Sequence, residues 1–251
     1  METPTQAIIL AAGKGTRLGS LTADCPKALV RVGDRVLLDH VRFGLAQAGV
    51  RRAMIVISHL AEQIEAHLQA NPVPGQTSLT VWQPAPQGTG QAVRMAIPEM
   101  ERGPTWITYA DIVVEPDEYQ RMAAAAAGYT CDMVLAVVDV DDPCRGAAVY
   151  FDDRFRISRI IEKPSPGTST TRWNSAGIYL TRPSLFPYLN ELMPSTRGEY
   201  ELPDAVTSLM AAGGEVYAFP LAGPWIDVGR PEDIERAEQM LRRRKEASKG
   251  K

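Results

Sequence analysis

Short apolar runs and amphipathic segments alternate along the first half of the chain. Apolar runs rich in β-branched residues predict strands over residues 6–10, 53–57, 79–82, 105–110 and 133–138. Apolar residues spaced three and four apart predict helices over residues 36–48, 60–69, 92–100 and 117–127. Strands that alternate with helices of this length form parallel sheets with helices on both faces, so the pattern predicts an α/β fold.

The pattern changes after residue 147, where polar turns separate shorter strand candidates. These candidates cover residues 147–151, 157–161 and 177–180. We interpret about residues 140–181 as an insertion or lid that carries a second substrate. The alternation then resumes with helices over 183–191, 202–212 and after Pro231, and with a strand over 215–219. Residues 1–241 are therefore predicted to form one domain, which a basic C-terminal tail follows over residues 242–251.

The composition argues against several kinds of partner. The chain has 251 residues, with 27 basic and 30 acidic side chains and a formal net charge of -3, so it offers no global positive field to nucleic acid. Cys25, Cys131 and Cys144 form no C-x-x-C motif and are expected to be reduced thiols. The sequence shows no export signal and no membrane anchor, so we expect a cytoplasmic protein that binds neither nucleic acid nor membrane.

The segment that follows the first strand carries the strongest chemical signal. It reads IILAAGKGTR over residues 8–17, and Gly13 and Gly15 lack a Cβ, so backbone N–H groups can approach an anion there. Arg17 follows directly, and Lys27 comes after Pro26, which stiffens the returning chain. These features predict a phosphate-binding loop for a nucleoside triphosphate. The alternative is a simple tight turn between a strand and a helix.

Charged residues at other predicted strand ends are further candidates. Asp111 follows the strand over residues 105–110, and Asp227 lies between apolar residues in the segment WIDVG. Both suit Mg²⁺, but Asp111 also suits a turn or helix cap, and Asp227 a buried ion pair. Glu162 and Lys163 end another strand, where they suit a sugar and a phosphate or an exposed ion pair. The three histidines lack metal-ligand spacing, and we assign them no catalytic role.

These motifs follow one another in the order LAAGKGTRL, PK, QGTG, the strand-tip aspartate, EKP and WIDVGRPED. Over about residues 7–241 this order resembles the sugar 1-phosphate nucleotidylyltransferases, also called NDP-sugar pyrophosphorylases. The resemblance implies a Rossmann-like three-layer sandwich with a mixed, mostly parallel central sheet, in a short form without the C-terminal β-helix of longer members. It also implies transfer of a nucleotidyl group from an NTP to a sugar 1-phosphate, with release of pyrophosphate and with Mg²⁺ as cofactor.

The resemblance also implies roles for individual residues. The implied catalytic residues are Arg17, Lys27, Asp111, Lys163 and Asp227, of which Asp111 and Asp227 would bind Mg²⁺. The implied nucleotide contacts are Leu10, Ala11, Ala12, Gly13, Gly15, Thr16, Arg17, Gln83, Gln87, Gly88 and Thr89. The last four of these would form the segment that reads the base. The implied sugar-phosphate contacts are Gly146, Glu162, Lys163, Asn174 and Ser175. The attacking phosphate oxygen is already ionised near neutral pH, so the reaction requires no general base.

The sequence departs from the family pattern at two places. Ala110 stands where members usually have glycine before the strand-tip aspartate. The order N-S-A-G places Ser175 in the position that asparagine takes in members with N-A-G. A shift of one residue reverses the face of a strand, so the sequence leaves open whether Asn174 or Ser175 meets the sugar.

The substrates and the assembly are only partly indicated. The resemblance slightly favours UTP, with guanylyl or thymidylyl transfer to heptose, mannose or glucose 1-phosphate as alternatives, and cytidylyl transfer to another phosphate acceptor as a further one. A catalytically silent regulatory homologue is disfavoured because the five implied catalytic residues are all present. A dinucleotide-binding dehydrogenase is disfavoured because Leu18 stands where the G-x-G-x-x-G motif requires its last glycine. Dimers or tetramers are usual in the family, so a homo-oligomer is expected.

Overall fold

The computed structural model describes residues 1–249 and follows the predicted alternation of strands and helices. Within these residues the strands are β1 (Gln6–Leu10), β2 (Arg31–Val32), β3 (Arg35–Val36), β4 (Arg52–Ile57), β5 (Thr77–Trp82), β6 (Thr105–Tyr109), β7 (Ile112–Val114), β8 (Met133–Asp139), β9 (Ala147–Phe151), β10 (Ile157–Glu162), β11 (Trp173–Thr181), β12 (Val216–Pro220) and β13 (Trp225–Asp227). The α-helices are α1 (Leu37–Gln47), α2 (Ala61–Ala70), α3 (Thr89–Ala96), α4 (Asp117–Ala127), α5 (Phe186–Asn190), α6 (Leu202–Ala211) and α7 (Pro231–Lys249).

Nine strands of the described chain form one mixed sheet. β4 and β6 pair with β1 in parallel, and Ile8 of β1 is in register with Met54 and Ile107. β11 pairs in antiparallel with both β6 and β8, and β9 and β10 extend the sheet beyond β11. Two small antiparallel pairs, β2 with β3 and β7 with β13, lie outside it. The predicted α/β class with a mixed sheet is confirmed.

Helices cover both faces of this sheet, and this explains why its central strands are continuous apolar runs. On one face α1, α2 and α4 pack against the strands, with Leu45 of α1 fully buried. On the other face α3, α5 and α6 do the same, with Val93 of α3 fully buried. β1 contributes Ile9 to the first core cluster and Ile8 to the second. The result is the three-layer arrangement that the resemblance implies.

Three elements differ from the prediction. α3 begins at Thr89 rather than at residue 92, and a short 3-10 turn that contains Pro98 follows it. β7 is absent from the prediction because three residues are too few to show a periodic pattern. β11 begins at Trp173 and pairs inside the main sheet. All three strands of the 140–181 region, β9, β10 and β11, therefore belong to the mixed sheet, and the role of this region as a lid stays a prediction.

The C-terminal helix is longer than expected. α7 continues through most of the predicted basic tail and ends at Lys249, whereas residues 250 and 251 lie outside the described residues. Among the helices of residues 1–249, none combines the length and the apolar character that crossing a membrane requires.

Candidate active site

The loop after β1 lies at the edge where the parallel strands end. Backbone hydrogen bonds anchor its start: the N–H of Ala11 donates to the carbonyl of Val56 (2.9 Å), and the N–H of Ala110 donates to the carbonyl of Leu10 (3.0 Å). Beyond this anchor, residues 13–17 are mostly exposed to solvent. The loop therefore starts from a rigid strand and ends at an accessible surface, as a phosphate-binding loop requires.

Gly15 fixes the path of this loop against Lys27. Its φ angle is 66°, a left-handed conformation that favours glycine. A Cβ at this position would lie 2.8 Å from the Cβ of Lys27, closer than side chains approach. The hydroxyl of Thr22 donates a hydrogen bond to the Gly15 carbonyl (2.9 Å) and closes the turn. The glycine thus allows the lysine stem to lie directly against the loop.

Lys27 is the centre of a charged group at this edge. Its ammonium forms an ion pair with Oδ2 of Asp111 and lies 3.9 Å from Oδ1 of Asp227. The Lys27 side chain is only 10% exposed. One buried cation therefore holds two carboxylates that are far apart in sequence.

Two structural features complete this group. β7 and β13 pair so that Asp227 is opposite Ile112, and the N–H of Val228 donates to the Asp111 carbonyl (2.9 Å). The guanidinium of Arg17 packs against Gly229, where a Cβ would lie 3.2 Å from Nη2 of Arg17. The structure thus places Arg17, Lys27, Asp111 and Asp227 together. These are four of the five predicted catalytic residues.

The electrostatics of Asp227 reflect this crowding. Burial, and next the carboxylate of Asp111, raise the pKa of Asp227 from 3.8 to about 6, while Lys27 and Arg17 act in the opposite direction. The side chain is nevertheless 47% exposed, so one side of the carboxylate remains open to solvent. A further cation on the open side would favour the ionised form.

The donor set of this group suits Mg²⁺. Carboxylate oxygens are the ligands that Mg²⁺ prefers, and it commonly takes one or two of them together with substrate phosphates. Within residues 1–249 the protein offers no group of three or more His, Cys, Asp or Glu side chains that could hold a metal ion by itself. Asp111 and Asp227 supply two carboxylates, so they fit a metal ion whose remaining ligands include phosphate oxygens.

A second group of predicted residues follows β5 and comprises Gln83, Gln87, Gly88 and Thr89. A loop over residues 195–201 holds it in place, because the N–H of Tyr200 donates to the carbonyl of Gln87 (2.7 Å). Gly88 has a φ of 115°, and a Cβ there would lie 2.5 Å from the carbonyl oxygen of Tyr200. Only glycine fits this contact, so the QGTG motif is partly explained by the packing of two loops.

The third group lies at the end of β10. The N–H of Lys163 donates to the carbonyl of Gly146 (3.0 Å), and the Lys163 ammonium lies 3.8 Å from Oε1 of Glu162. Arg197 lies 3.4 Å from the same oxygen and also pairs with the buried carboxylate of Glu201. Burial raises the pKa of Glu162, and Lys163 opposes this rise. Two cations, Lys163 and Arg197, therefore flank one half-buried carboxylate.

The side chain of Asn174 forms hydrogen bonds with the backbone of the neighbouring turn. The side chain is buried, and its amide nitrogen is placed to donate to the carbonyls of Pro143 (3.2 Å) and Ala147 (3.3 Å). A Cβ at Gly146 would lie 2.9 Å from this amide. The structure thus gives Gly146 a packing reason to be glycine, in addition to the sugar contact that the resemblance implies.

Ser175 lies in a different environment from its neighbour. Its hydroxyl is 3.0 Å from the hydroxyl of Tyr179 and accepts a hydrogen bond from the N–H of Gly177 (3.2 Å). Burial raises the pKa of Tyr179. Burial is also the main cause that raises the pKa of Tyr109 well above 10, and the neighbouring Tyr179 is the next cause. Ser175 therefore belongs to a network of neutral hydroxyls that is only partly closed off from solvent.

Three further residues contact the predicted site residues without having been assigned a role from the sequence. The amide of Gln91 contacts Gln83 and Gln87. The backbone of Tyr200 contacts Gln87, and the guanidinium of Arg197 contacts Glu162. Local signals exist, because Gln91 directly follows the QGTG motif and the other two lie in RGEYEL. These signals identify the segments, but the individual contacts depend on how distant loops meet.

The sequence as a whole matches a known protein family. A sequence model described as nucleotidyl transferase matches residues 6–244, which is nearly the whole chain. The resemblance inferred from the motifs is therefore confirmed.

Curated relatives cover most of this chain. The mannose-1-phosphate guanylyltransferase catalytic subunit beta of Drosophila melanogaster is 28% identical over 233 residues, which are 92% of this chain but only 61% of the fly protein. The chain thus spans less than two thirds of that relative. The UTP–glucose-1-phosphate uridylyltransferase AglF of Haloferax volcanii is 30% identical over 241 residues, which are 94% of this chain and 96% of AglF.

A solved structure supports the same relationship. It comes from Bacillus anthracis, is assigned as a glucose-1-phosphate thymidylyltransferase and contains a bound sucrose. It superimposes with a TM-score of 0.84 at 26% identity and covers 94% of this chain and 95% of its own.

Proposed function

The chain belongs to the nucleotidyl transferase family, and from that premise we propose that it transfers a nucleotidyl group from an NTP to a sugar 1-phosphate and releases pyrophosphate. The observation that carries this proposal is the group of Arg17, Lys27, Asp111 and Asp227 beside the open loop over residues 13–17. The names of the three relatives describe the transfer of guanylyl, uridylyl and thymidylyl groups to or from sugar 1-phosphates.

The reaction makes one bond and breaks one bond. An oxygen of the sugar 1-phosphate attacks the α-phosphorus of the NTP, and the bond from that phosphorus to the bridging oxygen of the β-phosphate breaks. The attacking oxygen is already ionised, so no proton needs to be removed. The protein therefore contributes alignment of the two substrates and neutralisation of their negative charges.

The nucleotide side of the site performs the first of these tasks. The backbone of residues 10–16 holds the triphosphate, and Arg17 and Lys27 neutralise charge on the attacked phosphate and on the leaving pyrophosphate. Asp111 and Asp227 hold Mg²⁺, which when bound neutralises further phosphate charge. The burial of Lys27 strengthens its interaction with a phosphate, because less water screens it.

The sugar side of the site holds the second substrate. Lys163 neutralises the sugar phosphate, and Glu162 accepts hydrogen bonds from sugar hydroxyls. We assign Ser175 rather than Asn174 to the sugar contact, because the Asn174 amide is used by the carbonyls of residues 143 and 147. Gly146 contacts the sugar from the same turn.

UTP is the nucleotide that we favour for this reaction, with GTP and dTTP as the alternatives that the relatives suggest. The acceptor is a hexose, N-acetylhexosamine or heptose 1-phosphate. The experiment measures pyrophosphate release with Mg²⁺ for UTP, dTTP, GTP, CTP and ATP, each against a panel of these sugar 1-phosphates. Release that requires both substrates supports the proposal, whereas silence across the panel in a folded protein contradicts it.

A pair of variants connects this activity to the proposed site. Asp111→Asn keeps the size of the side chain but removes one of the two carboxylates, and it is expected to lower kcat by about 100-fold or more, by analogy with a lost charge-stabilising donor. The matched control is Asp153→Asn, in an exposed turn after β9, which should leave kcat unchanged. Equal activity of the two variants would contradict the assignment of Asp111.

A further inference from the structure

The side chain of Gln91 connects the two glutamines of the proposed base-binding segment. Its Oε1 accepts hydrogen bonds from the backbone N–H of Gln87 (3.1 Å) and from Nε2 of Gln83 (2.6 Å). Its Nε2 donates to Oε1 of Gln87 (3.0 Å). Gln91 lies on the first turns of α3, a rigid element, so both glutamines are held from a fixed point.

The backbone N–H of Gln87 determines how these amides are oriented. A backbone N–H is always a donor, so the Gln91 atom that faces it is an oxygen. The Gln83 atom that faces the same oxygen must then be the amide nitrogen. Rotation of the Gln83 amide by 180° would place two oxygens 2.6 Å apart without a hydrogen between them, which costs a hydrogen bond and adds repulsion.

The orientation of Gln83 leaves its carbonyl oxygen available. Gln83 is 1% exposed, and within residues 1–249 no group donates a hydrogen bond to its Oε1. When a bound base covers this oxygen, the base must bring a donor, because a base with an opposing lone pair leaves both groups unsatisfied.

We propose that Gln91 is a positioning residue that turns Oε1 of Gln83 toward the base and thereby restricts the NTP to bases with a ring N–H, namely uracil, thymine and guanine. This inference rests on the proposed function, because it assumes that the 83–89 segment reads the base. In uracil and thymine the donor is N3–H, and in guanine it is N1–H. Cytosine and adenine carry an unprotonated ring nitrogen at the equivalent position and present a lone pair to Gln83.

The test measures equilibrium binding rather than turnover. Isothermal titration calorimetry with Mg²⁺ gives the Kd of UTP, dTTP, GTP, CTP and ATP for the whole protein. We expect the best ring N–H base to bind about 30-fold or more tightly than CTP and ATP, since an unsatisfied buried acceptor costs this much in affinity. The triphosphate of the preferred base, methylated on that ring nitrogen, should bind as weakly as CTP. Equal binding of the methylated and unmethylated triphosphates would overturn the proposal.

Variants of Gln91 separate positioning from general packing. Gln91→Leu keeps a side chain of similar size but removes all three hydrogen bonds of Gln91. The Gln83 amide is then free to rotate, and the preference for the ring N–H base over CTP should fall to about 3-fold or less. Gln91→Glu retains the oxygen that fixes Gln83, so the preference should be preserved. Gln120→Leu makes the same chemical change on the exposed surface of α4 and should have no effect. An unchanged preference in a folded Gln91→Leu protein would overturn the proposal.

The outcome is independent of the transfer reaction itself. Selective binding without pyrophosphate release would contradict the proposed function and still support the role of Gln91. Turnover with CTP or ATP as the best substrate would support nucleotidyl transfer and contradict the role of Gln91. If Gln91→Leu does not fold, two results can still overturn the proposal. One is loss of the base preference in a folded Gln91→Glu protein, which retains the oxygen that faces Gln83, and the other is equal binding of the methylated and unmethylated triphosphates.

Discussion

The stability of the fold does not explain why the Lys27 side chain is buried between two aspartates. A lysine with 10% of its side chain exposed contacts one aspartate and lies close to a second, and the two carboxylates repel each other. Paired buried charges seldom add net stability compared with apolar side chains of the same size. The group is better explained as a site whose charges are positioned in advance for a polyanionic substrate.

Replacement of Lys27 by methionine tests this explanation. The variant keeps the length of the side chain but loses the cation that neutralises phosphate, so kcat should fall by about 100- to 1000-fold. Steady-state kinetics with the best substrate pair measures the change. Arg31→Met removes an exposed cation four residues later in the sequence and is the matched control. A loss in kcat of less than about 5-fold for Lys27→Met would contradict its role in transition-state stabilisation.

The raised pKa of Asp227 predicts a pH-dependent stability. A carboxyl with a pKa of 3.8 when unfolded and about 6 when folded binds its proton more tightly in the folded state. The free energy of unfolding therefore falls as the pH rises from about 4 to 6. Asparagine avoids this loss, so Asp227→Asn should melt at a higher temperature than wild type above pH 7 without added metal. The two proteins should melt at the same temperature well below the unfolded pKa of 3.8.

The reverse order of melting temperatures above pH 7 would contradict this account of Asp227. Differential scanning calorimetry in the presence of a chelator measures it. Addition of Mg²⁺ with an NTP should stabilise wild type more than Asp227→Asn, because only wild type retains both proposed metal ligands.

At the level of elements, the site depends on pairings between segments that are far apart in sequence. β7 and β13 bring Asp111 and Asp227 together, and the 195–201 loop holds the 83–89 segment through Tyr200. Each pairing sets the position of a predicted site residue.

The sequence predicts local elements and motif residues, but it does not predict these pairings between distant segments. Long periodic elements such as α4, predicted over residues 117–127 and found over Asp117–Ala127, follow from local spacing. Motif residues such as Asp111 follow from chemistry at a strand end. The three-residue strand β7 and the amide of Asn174 could not be predicted, because their conformations depend on partners that no local pattern identifies.

The contact of Gly88 with Tyr200 predicts a selective effect of a small substitution. Gly88→Ala adds a methyl group that meets the Tyr200 backbone and also strains a positive φ, so it should cost more than about 2 kcal/mol of unfolding free energy. It should also weaken NTP binding, because the two loops must separate. Urea unfolding and calorimetry measure these two effects.

Gly49→Ala is the matched control for this prediction. Gly49 has a φ of 93°, but a Cβ there would meet nothing within 4 Å. The control should cost about 1–2 kcal/mol from backbone strain alone and leave NTP affinity unchanged. Equal effects of the two substitutions on NTP affinity would contradict a role for the contact between the loops.

At the scale of the whole molecule, the mixed sheet gathers the three groups of the site at one edge. β1, β5 and β6 run in the same direction, and the loops that follow them begin at this edge. β11 runs antiparallel to β6, so β11 starts at the same edge. Ligands bind at this edge in open α/β sheets. One bound nucleotide would therefore contact segments from both ends of the chain and should stabilise the whole fold.

Thermal denaturation with nucleotides tests this coupling. An NTP with Mg²⁺ at about 100 times its Kd should add about 2.7 kcal/mol to the free energy of unfolding and raise Tm by several degrees. NAD at the same concentration should leave Tm unchanged, because the loop lacks the third glycine of the dinucleotide motif. Stabilisation by NAD and not by any NTP would contradict the proposed site.

The transfer of a nucleotidyl group to a sugar 1-phosphate is tested most directly by following the oxygen atoms. The protein is incubated with Mg²⁺, the best NTP and a sugar 1-phosphate that carries ¹⁸O in its three non-bridging positions, and the products are analysed by ³¹P NMR and mass spectrometry. The account predicts an NDP-sugar that retains all three ¹⁸O atoms, one of them between the two phosphorus atoms, and an unlabelled pyrophosphate. Release of phosphate or pyrophosphate without a labelled NDP-sugar would contradict it.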